Sequence, residues 1–186
     1  AQELSAIRYP LSAIQHHHAH IASCMCENGL KNEKVIGVAF DGTGLGEDNT
    51  LWGAEFLICD YSDYERVAHL KEIPLLGGER AILEPWRLGA MWLYMLYQGR
   101  LFNLDIEFVR RIDKRRWKVL YDMYRKNFNT PLASSMGRLF DAAASIILKK
   151  YKVNFEAEAA IGLEKIARSY KFKVISYKLS PEPGKI

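Results

Sequence analysis

Four of the five histidines in this chain fall in one hexapeptide, Gln15-His16-His17-His18-Ala19-His20. The residues that follow, through Cys24-Met25-Cys26 to Gly29, include good helix formers and end on a glycine where a C-cap belongs. On such a helix His16 and His20 stand one turn apart on one face, within reach of a common ion. Imidazole suits zinc or iron. A third ligand has to come from another element, and Asp41 is the natural candidate, because it ends an apolar run and opens a glycine-rich turn. Two imidazoles and one carboxylate leave coordination positions open, as a metal that does chemistry requires. His17 and His18 could orient the ligands or shuttle a proton, and by spacing no more than that. A histidine tag is the bland alternative, but this run is broken by Ala19 and embedded in apolar sequence.

The turn after the apolar run reads Asp41-Gly42-Thr43-Gly44-Leu45-Gly46-Glu47-Asp48. Its glycines let the backbone approach a ligand closely and present N–H groups to a phosphate, so Gly42, Thr43, Gly44 and Gly46 are candidate anion contacts. The motif is neither a P-loop nor a dinucleotide fingerprint, and alone a glycine-rich hairpin is more often a turn. A second candidate is Ser134-Ser135-Met136-Gly137-Arg138 at a helix start, which offers N–H donors, hydroxyls and a guanidinium. Its bland reading is a plain N-cap.

These residues need elements to hold them. The pattern predicts a helix from His17 to Asn28, and strands over Val35–Phe40, Thr50–Ile58 and Tyr64–Leu70, the first two forming a hairpin whose loop holds the glycines. A helix from Pro85 to Tyr97 follows, its large residues Trp86, Leu88, Met91 and Trp92 reading as core. Asp105–Lys126 reads as one amphipathic helix or a pair, with Arg110, Arg111, Lys114, Arg115, Arg116 and Lys118 on its polar side. That cluster reads first as a solvated face, then as a docking surface for an acidic protein. Ser134 or Ser135 caps a helix to Lys150, another runs from Phe155 to Tyr170, and Phe172–Leu179 reads as a last strand.

The net charge of +4 does not imply a nucleic-acid partner. No apolar run has the roughly 18 residues of a membrane span, and no signal peptide is visible. Three cysteines give no disulfide framework, which points to a reducing cytoplasm, with Cys24 and Cys26 read as small buried residues.

Several motifs in one order resemble the HypF carbamoyltransferases of NiFe-hydrogenase maturation. They are Gln15–His20, the Val35–Phe40 strand, Asp41–Asp48, Thr50-Leu51-Trp52-Gly53-Ala54-Glu55-Phe56, Glu84-Pro85-Trp86-Arg87 and Ser134–Ala142. The resemblance implies the C-terminal Kae-type domain, an α/β unit of actin-like ATPase fold with a mixed sheet and flanking helices. It further implies an incomplete domain over 1–186, with the metal and phosphate loop in 1–80 and a mainly helical region in 81–186. Acylphosphatase-like, zinc-finger and YrdC-like HypF domains would precede it, and a further Asp ligand would follow.

By the same resemblance, carbamoyl-adenylate is made from carbamoyl phosphate and ATP, and its carbamoyl group passes to the C-terminal cysteine of HypE. The glycine loop and Ser134–Arg138 would hold the AMP part across a cleft, with Asp141 near the ribose. Glu156 and Glu158 would lie at the same site, although Ala157 stands where the family usually has glycine. An incomplete site is expected to bind metal weakly and to turn over little unaided. The alternatives are a tRNA threonylcarbamoyltransferase, an antibiotic O-carbamoyltransferase, and a lobe that only binds metal and partner.

Overall fold

The computed structural model describes residues 13–169. Most of the lead-in and the strand expected over Phe172–Leu179 lie outside them. Helix α1, His16–Glu27, is capped by Gln15, whose side-chain oxygen accepts from His17 N at 2.7 Å and His18 N at 3.0 Å. At its other end Gly29 adopts φ 67°, which lets Gly29 N bond Cys26 O and Leu30 N bond Met25 O, closing the helix in a Schellman motif. Ile21 and Met25 take the inner face of α1 and pack on Ala39, Leu57 and Cys59. That choice of face leaves Cys24 and Cys26 exposed, which corrects their reading as buried residues; Cys59 is the buried thiol.

Strand β1, Val35–Leu45, pairs antiparallel with β2, Leu51–Cys59. The pairing corrects the hairpin expected from the sequence. β1 does not stop at Phe40, and Gly42 and Gly44 are not its turn. Phe40 faces Ala54 and Gly44 faces Trp52, so β1 advances four positions while β2 advances two, and Asp41-Gly42-Thr43 sits in a bulge. The turn itself is the next segment, closed by Gly46 N donating to Thr50 O at 2.9 Å, with Asn49 at φ 62°.

β3, Tyr64–His69, runs antiparallel along the other edge of β2. β4, Ile73–Pro74, pairs antiparallel with β5, Leu132–Ala133, and β5 joins β2 in parallel at Leu51. These make a mixed five-stranded sheet. Helices flank it: α2 (Arg80–Leu83), α3 (Trp86–Leu96), α4 (Glu107–Arg110), α5 (Lys114–Arg125), α6 (Met136–Ile147) and α7 (Glu158–Ser169). The amphipathic stretch is a pair of helices, because Asp113 turns its carboxylate onto Arg115 N (2.8 Å) and Arg116 N (3.2 Å) and starts α5 afresh. Trp86, Met91, Phe108, Trp117 and Leu120 form the core of this helical part. Of the basic cluster, Arg110 pairs with Asp105, Arg111 with Glu107 and Lys118 with Asp122.

Just before α7, Ala157 is held at φ 61°, a conformation that its Cβ disfavours. Ala157→Gly is therefore expected to stabilise the chain by about 1 kcal/mol. Chemical denaturation measures this, and a loss of stability would contradict the backbone geometry.

Candidate active site

The first turn of α1 and the bulge in β1 bring three side chains together. His16 Nε2 lies 2.7 Å from Asp41 Oδ2 and 3.1 Å from His20 Nε2, and His20 Nε2 lies 3.6 Å from the same carboxylate oxygen. On a tetrahedral ion with bonds of ~2.0–2.1 Å, ligand atoms stand roughly 3.3 Å apart. The three donors therefore need only small shifts to share one ion, and their types suit zinc or iron. Burial works against a charged Asp41, but hydrogen bonds from His16 and from Gly42 N–H (2.6 Å) outweigh it and hold the carboxyl below its usual range.

The close approach of α1 to the bulge depends on Gly44. A Cβ there would lie 2.6 Å from His17 Cε1 and 2.7 Å from His16 Cδ2. His17 is thus buried beneath the bulge, and burial lowers its pKa and keeps it neutral. Gln15 Nε2 stands 3.2 Å from its Nδ1, while its Nε2 has no partner among the described residues. His18 is on the opposite side of the helix, its Nε2 bonded to Asp60 O at 2.7 Å. Two residues from either candidate ligand is about half a turn, so His18 points away from them. The expected proton shuttle does not fit His18, and His17 is left to support its neighbours.

The second anion candidate touches the first. A Cβ on Gly137 would lie 3.0 Å from Gly42 Cα, so only a glycine lets α6 begin this close to the bulge. Ser135 caps α6, accepting from Arg138 N at 3.2 Å, and donates to Gly42 O at 2.6 Å. The expected cleft between the two segments is therefore a contact, with both serine hydroxyls occupied. Ser134 is fully buried and donates to Glu55 Oε1 at 2.6 Å. Gly46 lies buried under the Trp52 indole. Glu158 is tied to Lys150 and to Asn154 N (2.7 Å), which fixes the start of α7. The open groups are exposed Thr43 and exposed Glu156, whose Oε1 comes within 3.9 Å of the Cβ position on Gly42.

Arg138 and Asp141 are buried and approach to 2.9 Å without the alignment of a hydrogen bond. The residue expected beside a ribose thus lies in an interior pair. Burial pushes the Asp141 carboxyl up to about 6, with Arg138 opposing. A folded value above the unfolded one means that stability from this group is complete below about pH 4 and is lost as pH rises through its folded pKa. Asp141→Asn is expected to raise Tm at about pH 8 and to leave it unchanged near pH 4. Thermal scans at the two pH values decide; an equal effect at both would contradict the burial account.

A family model described as carbamoyltransferase, Kae1-like domain, second subdomain, matches residues 37–185. The chain belongs to the HypF carbamoyltransferase family. Carbamoyltransferase HypF2 of Cupriavidus necator is 42% identical over 161 residues, which are 87% of this chain and 19% of that protein. A crystal structure of full-length HypF in its phosphate- and nucleotide-bound form superposes with a TM-score of 0.78 at 43% identity, over 88% of this chain and 25% of that one. The crystal structure of T. kodakarensis HypF gives a TM-score of 0.83 at 33% identity, over 99% of this chain and 25% of that one. The chain thus spans a quarter or less of the length of these three relatives. Its mixed sheet and helices form a Kae1-like subdomain of the actin-like ATPase class.

Sequence reasoning in this HypF-family subdomain gave Asp48 and Glu55 no role, although both lie in its motifs, and did not reach Arg66. Glu55 carried a signal, being a charge inside an otherwise apolar strand. Its partner depends on strand register, with Arg66 opposite Leu57, which no sequence pattern gives.

Proposed function

We propose that the chain supplies the metal-binding face and one wall of the nucleotide site in a HypF carbamoyltransferase. The reaction moves the carbamoyl group of carbamoyl-adenylate, made from carbamoyl phosphate and ATP, to the C-terminal cysteine of HypE. The product thiocarboxamide is the precursor of a cyanide ligand of NiFe hydrogenase. The observation that carries this reading is the convergence of His16, His20 and Asp41 on one point beside the glycine bulge, within 4.8 Å of one another. Residues 1–80 would hold the metal and phosphate-loop parts, and the mainly helical 81–186 would back them within the larger protein. The free cysteines suit a reducing cytoplasm.

A zinc or iron ion held by His16, His20 and Asp41 would act as a Lewis acid on a carbamoyl or phosphate oxygen. Gln15 fixes the first turn of α1 and so the aim of both imidazoles. Exposed Thr43 offers its hydroxyl and N–H to an incoming anion, and the start of α6 adds its N-terminal dipole beside it. Attack by the acceptor thiolate forms a C–S bond, breaks the bond from the carbamoyl carbon to the phosphate oxygen, and releases AMP. Labelled carbamoyl phosphate and ATP, given to the intact protein with HypE, tRNA and an aminoglycoside as competing acceptors, test the reading. Label on the HypE cysteine is expected. Label on threonylcarbamoyl tRNA or on a sugar hydroxyl would contradict it.

A further inference from the structure

We infer that Arg66 is the positioning residue that fixes the glycine bulge against the start of α6, and with it the anion-binding geometry; this rests on the function proposed above. Arg66 lies on β3, away from the metal-binding triad, yet it joins three elements. Its Nε donates to Glu55 Oε2 at 2.6 Å, Nη1 to Asp48 Oδ2 at 3.0 Å and Nη2 to Ser134 Oγ at 3.2 Å. The guanidinium carbon sits 4.0 Å from the centre of the Trp52 ring, so the group is held flat as well as bonded.

Each partner passes the constraint on. Asp48 Oδ1 accepts from Thr50 N (3.0 Å), Thr50 Oγ1 (2.7 Å) and Trp52 Nε1 (2.9 Å), which sets the turn that ends the glycine stretch. Buried Glu55 accepts from Gly53 N (3.0 Å), Ala54 N (3.2 Å) and Ser134 Oγ (2.6 Å). Ser134 is followed by Ser135, which caps α6 and holds Gly42 O. The two anion-binding segments are therefore fastened at one end by Ser135 and at the other by Arg66. Two carboxylates already neutralise Arg66 and all three of its nitrogens are engaged, so it arranges the N–H groups and does not itself bind the anion. A lysine cannot replace it, because a single ammonium lacks the planar fork that reaches three partners at once.

The test uses the intact protein with Arg66→Lys and, as a milder change on the exposed turn, Asp48→Asn. Titration with AMP and with inorganic phosphate is expected to show about ten-fold weaker binding for Arg66→Lys, the loss of roughly one charge-assisted hydrogen bond. A smaller loss of the same sign is expected for Asp48→Asn. Metal content should equal that of the parent in both, since neither residue touches His16, His20 or Asp41. Unchanged AMP and phosphate affinity in both folded variants, with only a lower Tm, would make Arg66 a scaffold residue and overturn the inference. A parent protein that binds neither AMP nor phosphate would remove the function beneath it, and the inference too.

Discussion

Asp41→Ala in the intact protein is expected to lose its metal ion and to slow carbamoyl transfer by about two orders of magnitude or more. Asp41 is the one carboxylate beside His16 and His20 in the cluster, and the bulge in β1 aims it there. Without it the described residues offer only two imidazoles one turn apart, a weaker site than three converging ligands make. The rate estimate follows from the cost of removing a group that stabilises charge developing in a transition state, about 10²–10³. His20→Ala should behave alike, because its Nε2 is the third point of the cluster. His18→Ala should keep metal and rate, because its imidazole is bonded to Asp60 O on the other side of α1. Elemental analysis and single-turnover transfer give the readings. Full metal occupancy in both Asp41→Ala and His20→Ala would end the metal assignment.

Glu84→Ala is expected to cost about 3–5 kcal/mol of stability, the range for breaking a buried ion pair from one side. Glu84 is only 3% exposed and gathers four donors. Its Oε2 accepts from Arg87 Nε (2.9 Å), Arg116 Nη2 (2.6 Å) and Trp86 Nε1 (3.3 Å), and Oε1 from Arg80 Nε (3.1 Å). Burial alone would raise its pKa, but the bond and charge of Arg87, with Trp86 and Arg116, lower it overall. Arg87 is the partner that cannot recover, since it is itself largely buried and also donates to Leu76 O at 2.9 Å. Arg80 and Arg116 are half-exposed and can turn to water, so Arg80→Ala should cost under about 1 kcal/mol. Urea unfolding compares them. A loss below about 1 kcal/mol for Glu84→Ala would mean that the network does not hold α2, α3 and α5 together. Within the described residues the Glu84-Pro85-Trp86-Arg87 motif thus joins three helices.

What the sequence revealed depended on how local the physics was. The spacing of His16 and His20 is a property of one helix, and Asp41 ends one apolar run, so the grouping of the three was legible before any fold was known. The helix over Trp86–Leu96 was equally legible from its apolar residues and the preceding proline. The bulge was not, because glycines that can turn can also pair, and the choice depends on what β2 offers opposite them. Burial of Ser134, Ser135 and Asp141 was also out of reach. Hydroxyls and carboxylates at a helix start read as ligand contacts until β2 and the glycine stretch are seen packed on them. Family resemblance supplied the residue types of a nucleotide site, but not contacts such as those of Lys150 and Asn154 with Glu158.

The most direct measurement is an anomalous diffraction map of the intact protein crystallised with its native metal and AMP. One peak is expected within about 2.0–2.3 Å of His16 Nε2, His20 Nε2 and an Asp41 oxygen. The AMP phosphate should lie against Thr43 and the start of α6. A metal peak bonded to other residues, or AMP bound away from the bulge with the triad still hydrogen-bonded to itself, would contradict the account.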